Sequence, residues 1–424
     1  MKRIPSLIIA LLLAPLAVLH ATGPQPLPKV RTQFLPDQPW LDDHGVHINA
    51  HGGGVVFHGG TYYWFGEHKI SGETAEVGVH CYSSTDLYNW KDAGVALAMS
   101  DDPHSDIAKG CILERPKVIY NAATKKFVMW FHLELKGQER RAARSGVAVA
   151  EQATGPYTFL GSSRPDTGTW PLNVTEEQKA GFKEAQKLIG THFAGGPNPE
   201  VPKHNLLARD FTLGQMAKDM TLFVDDDGKA YHVFASEENS TLHISQLTDD
   251  YLSHSGKWVR VFEHRWNEAP ALCKYNGRYW MISSDCTGWD PNTARLAVAD
   301  SIWGPWRELG NPLMEATNSG EVDKLTLSQW KKLGYPSVGG IPRKYTLGPE
   351  KTFGGQSTFI LPVNGRPGAY IAMFDIWRPK DAINGGYVWL PIKFENDRLT
   401  ITWRDAWGLS DFDSMGSATT DSKK

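Results

Sequence analysis

Short apolar runs alternate with polar punctuation along this chain, and the runs come in pairs. The second member of each pair follows a turn rich in Gly, Lys, Asn or Asp: 59–65 (GGTYYWF), 124–131 (TKKFVMWF), 226–234 (DDGKAYHVF), 276–282 (NGRYWMI) and 364–373 (NGRPGAYIAM). The first member precedes it: Gly54–Phe57, Lys117–Tyr120, Met220–Val224, Ala271–Lys274 and Ser357–Leu361. Alternation with a period of two, bounded by turn residues, predicts strand, hairpin, strand, five times over. An aromatic marker follows each hairpin, at Trp90, Tyr157, Trp258, Trp306 and Trp403. A sandwich with many hairpins would not explain this matched five-fold order. A unit of roughly 50–100 residues with about four strands predicts an all-β, five-bladed β-propeller.

Two stretches break the repeat. Residues 168–212 contain Glu176–Leu188, which reads as a short amphipathic helix, and residues 311–352 contain a second helix candidate, Leu325–Leu333. Long insertions of this kind either wall a site or ornament the surface. At the N-terminus, Lys2 and Arg3 precede the apolar run Leu7–Leu19, so 1–21 reads as a signal peptide and the chain as exported, periplasmic or extracellular. Residues 22–40, rich in Pro, form a lead-in segment; 41–412 are the propeller; 413–424 are too polar to order.

Composition narrows the partners. A formal net charge of −3 gives no reason to expect nucleic acid, and no segment of the expected mature chain is fit to span a membrane. Sixteen Trp suit sugar stacking and propeller cores alike. The four cysteines, Cys81, Cys111, Cys273 and Cys286, contain no CxxC pair and leave three disulfide connectivities open. Asp225-Asp226-Asp227-Gly228 is a polar β-turn without the ligand spacing of a calcium loop, so no metal or cofactor is expected.

The residues leading into the five inner strands should meet around the axis. They offer His51, Glu114, Asp219, Glu268 and Gln356. Three carboxylates converging on one axis raise one another's proton affinity, which suits glycoside hydrolysis, where one carboxyl group must arrive protonated. Trp289 and Trp377 are candidates for stacking on a sugar face, and Asp375 is a weaker candidate placed at a hairpin's outer end. Glu67 either binds a hydroxyl or pairs with His68 or Lys69. Arg115 either contacts sugar or neutralises Glu114.

These segments resemble glycoside hydrolase family 43. Asp219–Tyr231 is similar to the segment carrying the aspartate that tunes and orients the acid, and Glu268-Ala269-Pro270 to the one carrying the general acid. The family's first blade opens Ala-His-Asp-Pro, its Asp being the base; here Ala50-His51-Gly52-Gly53 stands instead. That departure resembles the exo-β-1,3-galactanase branch, as do Phe65-Gly66-Glu67-His68, Cys111–Lys117, Cys286-Thr287-Gly288-Trp289 and Gln356-Ser357-Thr358. The resemblance implies an inverting exo-hydrolase releasing galactose from β-1,3-galactan, such as the arabinogalactan backbone. Glu268 would be the acid, Asp219 its modulator, and Gln356 or Glu114 the holder of the attacking water. Glu67, Arg115, His51, Thr287, Trp289 and Trp377 would contact substrate. An α-L-arabinofuranosidase or β-galactofuranosidase of the same family, or a sugar-binding propeller without catalysis, is the alternative.

Overall fold

The computed structural model describes residues 30–193, 196–314, 347–395 and 397–415. Five antiparallel sheets follow one another along the chain. The first holds β1 (His51–His58), β2 (Thr61–His68), β3 (Gly78–Ser84) and β4 (Lys91–Ala98). The second holds β5 (Ile112–Asn121), β6 (Lys126–Glu134), β7 (Arg144–Ala150) and β8 (Thr158–Ser163). The third runs through β9 (Met220–Val224), β10 (Ala230–Ser236), β11 (Thr241–Leu247) and β12 (His254–Val261). The fourth runs through β13 (Glu268–Tyr275), β14 (Arg278–Ser284), β15 (Arg295–Ala299) and β16 (Arg307–Gly310). The fifth contains β18 (Gln356–Pro362), β19 (Tyr370–Ile376), β20 (Gly386–Glu395) and β21 (Arg398–Thr402), with the short β17 (Leu313–Met314) parallel to β21.

The first strands form the inner ring. β1 lies against β5, β5 against β9, β9 against β13, β13 against β18, and β18 against β1. The protein is therefore a five-bladed β-propeller, with each predicted hairpin forming the two inner strands of a blade. Three of the marker aromatics, Trp90, Tyr157 and Trp306, stand immediately before the outer strands β4, β8 and β16.

Apolar faces of neighbouring blades pack on one another, and most of the tryptophan lies there. Trp64, Trp90, Trp130, Trp258, Trp389 and Trp407 are almost fully buried. The lead-in segment joins this core. Phe34 stacks on Trp407 at 4.3 Å, its N–H donates to the Trp407 carbonyl at 2.8 Å, and Trp40 packs on Trp64 and Trp389. Asp37 N donates to Tyr387 O, and Trp40 Nε1 to Tyr88 O. Residues 34–42 thus clasp the first blade to the fifth. All four cysteines are buried and free.

The insertion before the third blade forms two short helices where one was expected: α1 (Glu176–Ala180) and α2 (Phe182–Gln186), broken at Gly181. Thr175 and Gln178 form a capping box that starts α1. A third short helix, α3 (Leu206–Arg209), carries four buried side chains. The helix expected over Leu325–Leu333 lies outside the described residues, as do 1–21 and 416–424. Asp411–Met415 form a helical turn at the start of the expected tail. Among the described residues no helix is long and apolar enough to cross a membrane.

Candidate active site

Four of the five inner strands carry a register shift just inside their starts: between His51 and Gly54, Glu114 and Lys117, Glu268 and Ala271, and Ser357 and Phe359. In three of them the residue after the leading one is left-handed: Gly52 (φ 63), Arg115 (φ 57) and Ala269 (φ 52). A bulge turns the chain and re-aims the side chain beside it. Each of these residues has a buried N–H, and each donates it to a carboxylate from the preceding blade. Gly52 N bonds Asp375 Oδ2 at 2.6 Å, Arg115 N bonds Glu67 Oε1 at 3.0 Å, and Ala269 N bonds Asp219 Oδ2 at 3.1 Å. An orphaned buried donor costs about 1–3 kcal/mol, so these contacts fix the bulges.

The bulges surround a cleft of about 670 Å³. Glu67, Glu114, Arg115, Asp219, Glu268, Thr287, Trp289, Gln356 and Trp377 all line it. Glu268 is the half-buried acid at its wall. Burial first, and the Asp219 charge second, push its carboxyl up to about 7, against the pull of Cys286, Arg115 and Lys218. It can therefore arrive protonated near neutral pH and deliver that proton.

Arg115 is the hub. Its Nη2 bonds Asp219 Oδ2 at 2.8 Å and Gln356 Oε1 at 2.6 Å, its Nη1 bonds Ser357 O at 2.8 Å, and its guanidinium lies 5.1 Å from the Trp377 ring centre. Gln356 Oε1 also accepts from Trp377 Nε1 at 2.8 Å, while Gln356 Nε2 donates to Ser284 Oγ at 2.9 Å. Guanidinium and indole N–H groups only donate. The oxygen facing both is thus an acceptor, as the carbonyl oxygen of an ordinary amide is. In that form Gln356 can donate to a water or hydroxyl through the remaining N–H.

Glu114 is not neutralised by Arg115. Arg140 grips it at 2.9 and 3.0 Å, and His132 Nδ1 lies 3.0 Å from Oε2. Burial alone would raise this carboxyl; Arg140 and His132 outweigh it and hold the group well below the carboxylate range. Glu114 is consequently a good acceptor for a sugar hydroxyl and a poor proton acceptor. Glu67 pairs with Lys69 at 2.5 Å.

His51 stays out of the main cleft. It is buried against Tyr387, and burial lowers it to about 3, so it stays neutral. Thr287 reaches the cleft, but its hydroxyl bonds Asp290 O at 2.6 Å within its own turn. Trp289 and Trp377 meet edge to face at 5.9 Å. Asp375 is not at an outer hairpin end: it pairs across the sheet with Gln356, is 1% exposed, and is pushed up to about 7 by burial. Lys69, His132, Arg140, His192, Lys218, Asn239 and Cys286 also line the cleft. Several stand at or just past the end of a second strand. That end pairs with the start of the first strand, as in His51 with Glu67, Glu114 with His132, and Glu268 with Ser284. The repeat pattern held this signal; Arg140 and His192, in irregular loops, had none.

The family model for glycosyl hydrolases family 43 matches residues 164–326. A solved family 43 β-1,3-galactosidase, with galactodeoxynojirimycin, is 47% identical; the likeness covers 89% of this chain and 100% of that one, with a TM-score of 0.75. The chain belongs to glycoside hydrolase family 43. This family 43 hydrolase is also similar to the exo-β-1,3-galactanase of Phanerochaete chrysosporium, solved as a variant with β-1,3-galactotriose. Identity there is 27% over 89% of this chain and 68% of that one, with a TM-score of 0.66. A β-D-galactofuranosidase of Aspergillus niger is 25% identical over 137 residues, 31% of this chain, and the match spans 39% of that relative's length.

Proposed function

We propose that this family 43 hydrolase is an exported, inverting exo-β-1,3-galactanase that releases galactose from β-1,3-galactan, such as an arabinogalactan backbone. The observation that carries the reading is the pairing of a raised acid, Glu268, with an amide, Gln356, clamped by Arg115 and Trp377. The similarity to solved β-1,3-galactosidases and galactanases supports the sugar and linkage. The charged start and apolar run of residues 2–19 support export.

In this mechanism Glu268 protonates the leaving oxygen. Asp219 keeps that proton on Glu268 at neutral pH and, through Ala269 N and Arg115, ties the acid to the opposite wall. Gln356 holds the attacking water by donating to its oxygen; as that oxygen bonds the anomeric carbon and the glycosidic bond breaks, the water's proton passes to solvent, which returns one to Glu268. Glu67, Glu114 and Arg115 fix the terminal sugar, with Trp289 and Trp377 as the apolar wall. The A. niger likeness favours a second reading, β-galactofuranoside hydrolysis.

Incubating the protein with β-1,3-galactobiose, an aryl β-galactofuranoside and an aryl arabinofuranoside tests this directly. Galactose release from the disaccharide should fall about a hundredfold or more in Glu268→Gln. Turnover of either furanoside in preference to galactobiose would overturn the reading.

A further inference from the structure

We infer that Asn239 is a positioning residue for the acid: it occupies one oxygen of Glu268, so that the proton to be transferred sits on the other. The inference rests on Glu268 being the general acid, which Glu268→Gln tests separately.

Asn239 Nδ2 donates to Glu268 Oε1 at 2.8 Å and lies 3.6 Å from Cys286 Sγ. An amide nitrogen has protons to give and no lone pair to accept with. In a protonated carboxyl the carbonyl-type oxygen is the better acceptor, so Oε1 takes that role and Oε2 carries the proton. Cys286 Sγ also bonds this carboxyl, and Asp219, Arg115 and Lys218 act on it by charge; Asn239 is the donor that marks Oε1.

The chain goes to unusual lengths to place this amide. Asn239 ends a run of three consecutive left-handed residues, Glu237 (φ 50), Glu238 (φ 60) and Asn239 (φ 68), just after β10. Such residues are strained by about 1–3 kcal/mol each, Asn least of all, and persist only where surrounding contacts over-determine them. Two buried ion-pair groups supply those contacts. Glu237 binds Arg260 at 2.6 and 2.8 Å and His243 at 2.9 Å. Glu238 binds Arg209 at 2.8 Å and His192 at 2.9 Å. Both carboxylates are 1% exposed. Arg209 and His192 come from the insertion at 168–212, so that insertion braces the turn from outside the blade. Asn239 itself is 7% exposed.

The test compares Asn239→Ala and Asn239→Gly; Gly keeps the left-handed backbone unstrained and isolates the loss of the amide. On β-1,3-galactobiose, kcat should fall about tenfold or more with KM within about twofold. On 2,4-dinitrophenyl β-galactopyranoside, whose leaving group needs no proton, the fall should be about threefold or less. The removed N–H stabilised the ionised carboxylate, so the alkaline limb of kcat/KM should move to higher pH. Asn239→Asp, which exchanges the donor for an acceptor and draws the proton to Oε1, should lose at least as much. Equal losses on both substrates, or an unmoved alkaline limb in Asn239→Gly, would overturn the inference. If the wild type cleaves neither substrate, the galactanase reading fails. The Glu268 carboxyl titration, followed by 13C NMR, then decides: its midpoint rises in Asn239→Gly if Asn239 positions the acid, and stays put if it does not.

Discussion

Gly52 stands where the resemblance to family 43 would place a catalytic carboxylate, and its surroundings show what such a side chain would meet. A Cβ on Gly52 would lie 2.5 Å from Glu67 Oε1, and its φ of 63 strains any other residue. Both faces of its peptide are engaged, the N–H by Asp375 and the carbonyl by Lys117 Nζ at 2.7 Å. Gly52→Asp should therefore restore no base. It should destabilise the fold by about 1–3 kcal/mol from overpacking and by about 1–2 kcal/mol more from the left-handed backbone, read by denaturant unfolding. The partner carboxylates make a second expectation. Glu268 is raised to about 7, so activity should decline as pH climbs through about 7. Asp219→Asn removes the negative charge that helps raise it, and its alkaline limb should move to lower pH, with kcat reduced. An unmoved limb in the kcat/KM profile would mean that Asp219 does not tune the acid.

At the scale of elements, the blade is a device for bringing the start of one strand and the end of the next to the same rim. Blade two shows the cost of crowding charges there. Despite burial, which lowers it, hydrogen bonds and charges from Glu114 and Glu134 push His132 up to about 9 from 6.5. Its contribution to stability is complete below pH 6.5 and is lost as pH rises through about 9. Glu114, held low, contributes above the carboxylate range and loses that contribution on acidification. Melting temperature should thus fall on both sides of neutrality, and in Glu114→Gln the alkaline fall should be smaller and finish at lower pH. Strand starts such as Glu268-Ala269-Pro270 were legible because alternation and turn residues mark them locally. The bulges that aim Glu114 and Glu268 were not, because Arg115 and Ala269 are left-handed only by virtue of carboxylates distant in sequence. The hub role of Arg115 was hidden for the same reason: a long side chain reaching Gln356 and Asp219 leaves no periodic trace. Helix α1 ended early at Gly181, where a residue of low helix propensity interrupted an otherwise amphipathic run.

On the scale of the whole molecule, most tryptophans serve to join blades, while Trp289 and Trp377 line the cleft. Trp407→Ala, at the Phe34 stack, should cost about 3–5 kcal/mol, measured by chemical denaturation. The thiols give another check. With four buried, free cysteines, the melting temperature should not change on adding a reductant, and a thiol reagent should reach Cys81, Cys111 and Cys273, which lie away from the cleft, only after unfolding. A lower melting temperature in reductant would mean that a disulfide contributes.

The clasp between Phe34 and Trp407 also sets an order of assembly. One half of it leaves the ribosome early and the other only when the fifth blade is complete. Until then four blades can stack, but the first presents an uncovered apolar flank to chaperones, proteases and other nascent chains. Contacts between such distant positions close late and slowly. A chain shortened to end just before Trp407 would keep every residue of its cleft and the strands of all five blades, yet lose the stack that fastens the lead-in segment across the first and the fifth.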